Sequence, residues 1–146
     1  MKKKTVLMTA VLVAGLGLMT AASAARNNDA VEAVIRSFVK AGDDRDTSAL
    51  GPLLHEQFRV VFRVAGGEGV TVLDRAAYTE MLASKKIGGD ARKMRVLSVN
   101  EQDGLAEARV RLDGARARFD GHITLVRTDA GWKLIQDATV FSPKPE

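Results

Sequence analysis

The chain of 146 residues is 46% hydrophobic and 27% charged, the balance of a folded globular protein rather than a disordered or fibrous one. It contains no cysteine, which excludes a disulfide framework, a thiolate nucleophile and a thiolate metal site. Three lysines at the extreme N-terminus supply most of its net charge of +4, so that charge is no argument for a nucleic-acid partner.

Those lysines, Lys2, Lys3 and Lys4, precede an uncharged, mostly apolar run over 5–19 and then the small residues Ala22, Ser23 and Ala24. The order predicts a cleaved export signal over 1–24, with Ala25 as the mature N-terminus and the periplasm or the medium as destination. The run is shorter than the roughly 20 residues of a spanning helix, and no cysteine follows it to carry a lipid. Without the leader, 19 basic residues face 18 acidic ones. The remaining length suits one domain with its own core, expected over 25–141. A flexible tail is expected over 142–146, because Pro143 and Pro145 cannot donate to a ladder.

Asp29 and Glu32 are spaced as a capping box, and Val31, Val34, Ile35, Phe38 and Val39 then form one apolar stripe. Gly42 ends this predicted helix. Asp46 or Thr47 caps a short second one through Leu50, Leu53 and Leu54, with Pro52 kinking it or turning it partly 3₁₀. Phe58, Val60, Phe62 and Val64 alternate with Arg59, Val61 and Arg63, a strand with one apolar face. After a glycine-rich turn at 66–69 and a return at 70–73, Asp74 caps a third helix. Its buried side carries Ala77, Tyr78, Met81 and Leu82, and it ends near Gly88 and Gly89. Strands are expected over 93–101, 105–113, 115–127 and 132–141, with hairpin signals at Asp103-Gly104 and Asp113-Gly114. Helices first and antiparallel strands last make an α+β domain.

A two-residue turn at Asp113-Gly114 pairs Leu112 with Ala115, Arg111 with Arg116 and Arg109 with Arg118. One face then holds Val110, Leu112, Ala117 and Phe119, and the other holds four arginines tempered by Glu107 and Asp120. A four-residue turn over 128–131 pairs Leu125 with Leu134 and Ile123 with Gln136. Gln136, Ala138 and Val140 then face the core with Phe119 and Gly121, while His122 faces Asp137 outside. The whole assignment depends on register, because a one-residue slip exchanges the faces.

The residues AVEAVIRSFVKAGDDRDTSAL, then LLHEQF, VLDRAAYTEML and FDGHITLVRTDAGWKLIQDATVF, resemble the nuclear transport factor 2-like superfamily. Within it they are similar to the small exported SnoaL-like bacterial proteins labelled "Putative lumazine-binding". The resemblance spans roughly 29–141. It implies a cone-shaped, cystatin-like roll, a curved antiparallel sheet wrapped around about three N-terminal helices, whose mouth holds a small apolar or amphipathic molecule. Ketosteroid isomerases, polyketide cyclases, dehydratases and non-catalytic binders share that scaffold, so the fold does not choose the function.

The candidate catalytic residues are His55, Tyr78 and Asp137. His55 follows the second helix, where a structural role is favoured, and matches a histidine common at that point of the family. Tyr78 could offer its hydroxyl to a carbonyl, against the plainer reading of a half-buried tyrosine with a wet tip. Asp137 beside His122 would orient an imidazole for proton transfer, yet the register puts both outside, as an ordinary cross-strand pair. The candidate pocket residues are Phe62, Tyr78, Phe119, Gly121, Gln136 and Ala138. Two distant histidines and no clustered carboxylates argue against a metal site. The glycines at 66, 67 and 69 join strands rather than opening a helix, so no phosphate loop and no cofactor are expected.

These readings favour an exported, non-catalytic domain that binds a small apolar ligand or a partner and dimerises through its sheet. The alternative is an isomerase-, cyclase- or dehydratase-type enzyme with Tyr78 as electrophile and His55 or Asp137 as base. The two part on whether His55 or Asp137 opens into the same pocket as Tyr78. A bulge in the last strand near Asp137 would reverse the parity that keeps it outside. A purely structural subunit would instead show a filled cavity and an apolar outer patch around Val126, Ile135 and Phe141.

Overall fold

The computed structural model describes residues 15–145; the basic start of the expected leader, with residues 1–14, lies outside them. Among the described residues no helix is long and apolar enough to cross a membrane. Helix α1 (Gly15–Asp44) runs through Asp29 without a break. Asp29 is therefore not a cap, because the alanines at 21, 22, 24 and 25 carry good helix propensity N-terminal to it. The expected stripe is nevertheless the packing face: Val31, Ile35, Phe38 and Val39 are buried.

Asp46 caps the short helix α2 (Thr47–Leu50) by accepting from Ala49 N at 3.0 Å. Pro52 turns the chain that follows into a 3₁₀ turn, Gly51–Leu53. Strand β1 (Leu54–Val64) starts earlier than its alternation suggested and pairs with β2 (Thr71–Asp74). Asp74 caps α3 (Arg75–Ala83) through Ala77 N at 2.8 Å. Four strands complete the chain: β3 (Lys93–Gln102), β4 (Leu105–Asp113), β5 (Ala117–Thr128) and β6 (Gly131–Pro143). The sheet order is β2-β1-β6-β5-β4-β3. It is mixed rather than wholly antiparallel, because the first long strand lies parallel to the last. Phe58 and Leu134 of these two strands are buried with α1's stripe in a single core.

The β4–β5 register differs from the expected one by four residues. Leu112 faces Phe119 and Arg111 faces Asp120, and Gly114 N closes the turn onto Ala117 O at 2.9 Å. Charge explains the choice. The tight turn would have set arginine against arginine, whereas the longer one brings Arg111 within 2.6 Å of Asp120 and Arg118 within 3.0 Å of Asp113. A four-residue shift preserves parity, so Ala108, Val110 and Leu112 still face the core. Arg109, Arg111 and Arg118 belong to the outer face, but Arg116 falls in the turn instead.

Between β5 and β6 the pairing starts as expected, Leu125 with Leu134, and then slips: Thr124 pairs with Gln136 and Ile123 with Asp137. Ile135 is the extra residue of a β-bulge, and from there on β6 presents the opposite face. Gln136 therefore lies outside, accepting from Arg59 Nε at 3.1 Å. Ala138 lies outside too, opposite His122, while Asp137, Thr139 and Phe141 turn inward. His122 pairs across the sheet with Glu107, at 3.0 Å, rather than with Asp137. Strand β6 also outruns its expected end. Lys144 N donates to Arg116 O at 2.9 Å, so the segment 142–144 is tied to the β4–β5 turn rather than free.

Candidate functional site

A cavity of about 540 Å³ opens between the inner face of the sheet and α3, with the loop after α3 as its third wall. Val60, Phe62 and Val64 of β1, Leu73 of β2, Phe119 of β5 and Phe141 of β6 supply apolar surface. Phe119 and Phe141 meet edge-on, ring centroids 5.2 Å apart, so Phe141 belongs to the cavity and not to an outer patch. The volume lies within the range of small-molecule sites, ~300–1,000 Å³.

Four polar side chains, Tyr78, Asp137, Thr139 and Arg92, converge on this apolar space. Tyr78 comes from α3, its ring fixed between Phe38 and Phe58 at centroid distances of 6.1 and 5.7 Å. Its hydroxyl has no hydrogen-bond partner among the described residues, and a Cβ added at Gly42 would sit 3.5 Å from it. Asp137 and Thr139 come from β6 beyond the bulge, and Thr139 Oγ1 donates to Asp137 Oδ1 at 2.9 Å. The pair needs Gly121 opposite it: a Cβ there would lie 2.6 Å from Thr139 Oγ1. Arg92 closes the group. Its Nε donates to Asp43 Oδ1 at 2.5 Å, its backbone N donates to Oδ2 at 3.1 Å, and its guanidinium lies 5.0 Å from the Phe119 ring centroid. Both members of the ion pair are largely buried, with side-chain exposures of 16% and 14%.

This environment shifts two of the titratable groups that line the cavity, Asp137 and Tyr78. Loss of hydration pushes the Asp137 carboxyl up to about 6, against the opposing pull of the Thr139 hydrogen bond and the Arg92 charge. Part of its surface opens into the cavity, but the protein crowding its other sides outweighs that exposure. Burial holds the Tyr78 hydroxyl well above the usual phenol range, reinforced by the negative charge of Asp137. Near neutral pH the site thus offers a carboxylate able to take a proton and a phenol that keeps its own.

Among the sequence candidates, Phe62, Tyr78, Phe119 and Asp137 line the cavity, and Gly121 stands behind Asp137. Gln136 and Ala138 do not, for the reason of register given above. His55 lies at the start of β1, away from the cavity, with Nδ1 accepting from Gln57 N at 3.1 Å. Thr139 and Phe141 share Asp137's parity and became visible with the bulge. Arg92 and Asp43 carry no local sequence signal, since residues 49 apart meet only through the fold. The loop wall depends on Gly88, at φ +73, whose added Cβ would stand 2.4 Å from Gly42 O. A shallower depression of about 360 Å³ on the other side of the Asp43–Arg92 pair is open to solvent and lacks such a floor.

The sequence profile of a family described as "Putative lumazine-binding" matches residues 26–139. No curated protein matches the chain. Many solved structures share its fold. A nuclear transport factor 2-like protein of unknown function from Silicibacter pomeroyi superposes with a TM-score of 0.68 at 21% identity, covering 82% of this chain and 98% of that one. A nuclear transport factor 2-like protein with a cystatin-like fold from Novosphingobium aromaticivorans gives 0.63 at 17% identity, covering 89% and 91%. A ketosteroid isomerase-like protein from Erwinia carotovora atroseptica gives 0.61 at 15% identity, covering 82% and 98%. At such identities the likeness speaks for the fold alone, an α+β cone.

Proposed function

The chain belongs to the "Putative lumazine-binding" family of the nuclear transport factor 2-like superfamily, and from that premise we propose that its cavity binds a small carbonyl compound and moves a proton on it. Asp137 is the base and Tyr78 the hydrogen-bond donor to the carbonyl oxygen. One observation carries the reading: both side chains line the same apolar cavity, and Asp137 is pushed up to about 6. A base is most useful when its affinity for the proton lies near the working pH. Asp137 takes a proton from the carbon next to the carbonyl while Tyr78 steadies the growing charge on oxygen, and the proton returns from Asp137 to the same or a conjugated carbon. Gln136 cannot contribute from the outer face, and His55 is too far along β1 to assist.

The test is hydrogen–deuterium exchange next to the carbonyl in a panel of cyclic and polycyclic ketones, followed by NMR in D₂O. The native protein is expected to catalyse exchange in at least one compound that it binds, and Asp137→Asn to abolish it while still binding. A ketone bound tightly with no exchange above background would return the protein to the class of non-catalytic binders.

Export over the leader at 1–24 and homodimerisation through the sheet are part of the same proposal. Dimerisation is supported by an apolar strip on the outer face. There Val61 stands beside Val72 and Ala138, and Val72 and Val140 are 59% and 42% exposed. Sedimentation of the chain from Ala25 is expected to give a dimer that Val72→Lys converts to monomer; a native monomer refutes this part.

A further inference from the structure

The walls of the cavity grade in exposure. Val60, Leu82 and Ala117 are buried, whereas Lys85, Lys86 and Arg116 are exposed. The mouth therefore lies beside the place where the loop after α3 meets the β4–β5 turn. These two segments abut directly: a Cβ at Gly114 would overlap the Asp90 carboxylate.

The charge at that mouth is one-sided. Arg45, Lys85, Lys86 and Arg116 line it against the single carboxylate of Asp90. Among the described residues none of the four lies within ion-pair distance of an acid, whereas Arg111, Arg118 and Arg92, close by in the fold, are all paired. The Arg45 guanidinium is spent structurally, its Nε on Ile87 O at 3.0 Å and its NH₂ on Gly88 O at 2.9 Å. Those bonds cancel none of its charge and fasten it beside the opening. Lys85 itself sits at φ +62, a left-handed conformation costly for a residue with a side chain. Two free lysines, a free arginine and a fixed arginine make a local positive field in a chain that is otherwise nearly balanced. Against a low-dielectric apolar wall such a field is focused rather than dispersed.

We infer that the ligand is an amphipathic monoanion. Its apolar body fills the space between Phe62, Leu73, Phe119 and Phe141, and its anionic group stays at the mouth beside Lys85, Lys86 and Arg116. The inference rests on the cavity being a ligand site and deepens that reading; it does not need the proton transfer. The arrangement also keeps the anion apart from Asp137, whose partial charge at the floor would repel it.

The experiment compares decanoate with decanol by calorimetry on the chain from Ala25, at low and at physiological salt. Decanoate is expected to bind about tenfold more tightly at low salt, with the advantage shrinking as salt rises. Lys85→Ala/Lys86→Ala and, separately, Arg116→Ala should weaken decanoate several-fold and leave decanol unchanged; all three residues are exposed, so folding is spared. Equal affinities for acid and alcohol, or equal losses for both in the variants, overturn the inference. Asp137→Asn separates the two readings. Loss of ketone exchange in the variant with the decanoate preference intact supports both, whereas exchange by the native protein, lost in the variant, without any anion preference in either removes this inference and leaves the proton chemistry standing.

Discussion

Thr139 donates its hydroxyl to Asp137 Oδ1 at 2.9 Å from two residues further along the same face of β6, and the space for that bond is the missing side chain of Gly121. The bond favours the ionised carboxyl and so partly offsets the cost of its burial. Thr139→Val keeps the shape and removes the donor. Its Asp137 is expected to titrate above the native value of about 6 in carboxyl ¹³C NMR; an unchanged midpoint would mean that the bond does not form in solution. Gly121→Ala should act in the same direction. A Cβ 2.6 Å from Thr139 Oγ1 forces the hydroxyl into another rotamer, at a cost of about 1–3 kcal/mol in stability.

The elevated Asp137 also predicts how stability depends on pH. Its carboxyl holds a proton more tightly folded, at about 6, than unfolded, at about 3.9. The folded state is therefore favoured fully below pH 4 and loses that advantage as pH rises through 6. The loss amounts to at most about 3 kcal/mol, since roughly two pKa units separate the two states. Asp137→Asn removes the titration. Melting curves from pH 4 to 8 should show native and variant diverging as the pH rises, with the variant more stable at pH 8. Parallel curves would show that Asp137 is well hydrated.

Tyr78→Phe separates the hydroxyl from the ring. The ring packs on Phe38 and Phe58, and phenylalanine preserves that contact. The hydroxyl bonds to no described residue, so its removal should leave the melting temperature unchanged or slightly higher. Ketone exchange should fall about 10²–10³-fold, as for the loss of one donor to a developing oxyanion. A variant as active as the native protein would take Tyr78 out of the chemistry.

How much of this was legible in the sequence turns on Ile135. Wherever apolar and polar residues alternate cleanly, as at Phe58, Val60 and Phe62, the core face was readable, and the helix caps at Asp46 and Asp74 were readable from their chemistry. Residues 134–141 run Leu-Ile-Gln-Asp-Ala-Thr-Val-Phe, which fits either parity, and a bulge has no composition of its own. The two sheet neighbours of β6 both shift register there. That one residue exchanged Gln136 and Ala138 for Asp137 and Thr139 at the site. The α1 stripe was equally plain, but its N-terminal limit was not, because alanines extend a helix past any capping box. Arg92 and Asp43 were out of reach, since nothing in either segment announces the other.

That ion pair yields the last prediction. Asp43 receives both the side chain and the backbone N of Arg92, joining the end of α1 to the approach of β3 beneath the cavity. Arg92→Met keeps much of the apolar stem and leaves Asp43 largely buried without its cation. Losing one partner of such a pair costs about 3 kcal/mol, readable as a lower urea midpoint. Arg92→Lys should recover only part of that stability, because an ammonium cannot reproduce the flat contact with Phe119. Both variants also report on the site. Arg92 lowers the proton affinity of Asp137, so Arg92→Met should raise the Asp137 midpoint and Arg92→Lys should leave it near the native value. If Arg92→Met loses stability without moving that midpoint, the arginine serves the fold and not the cavity.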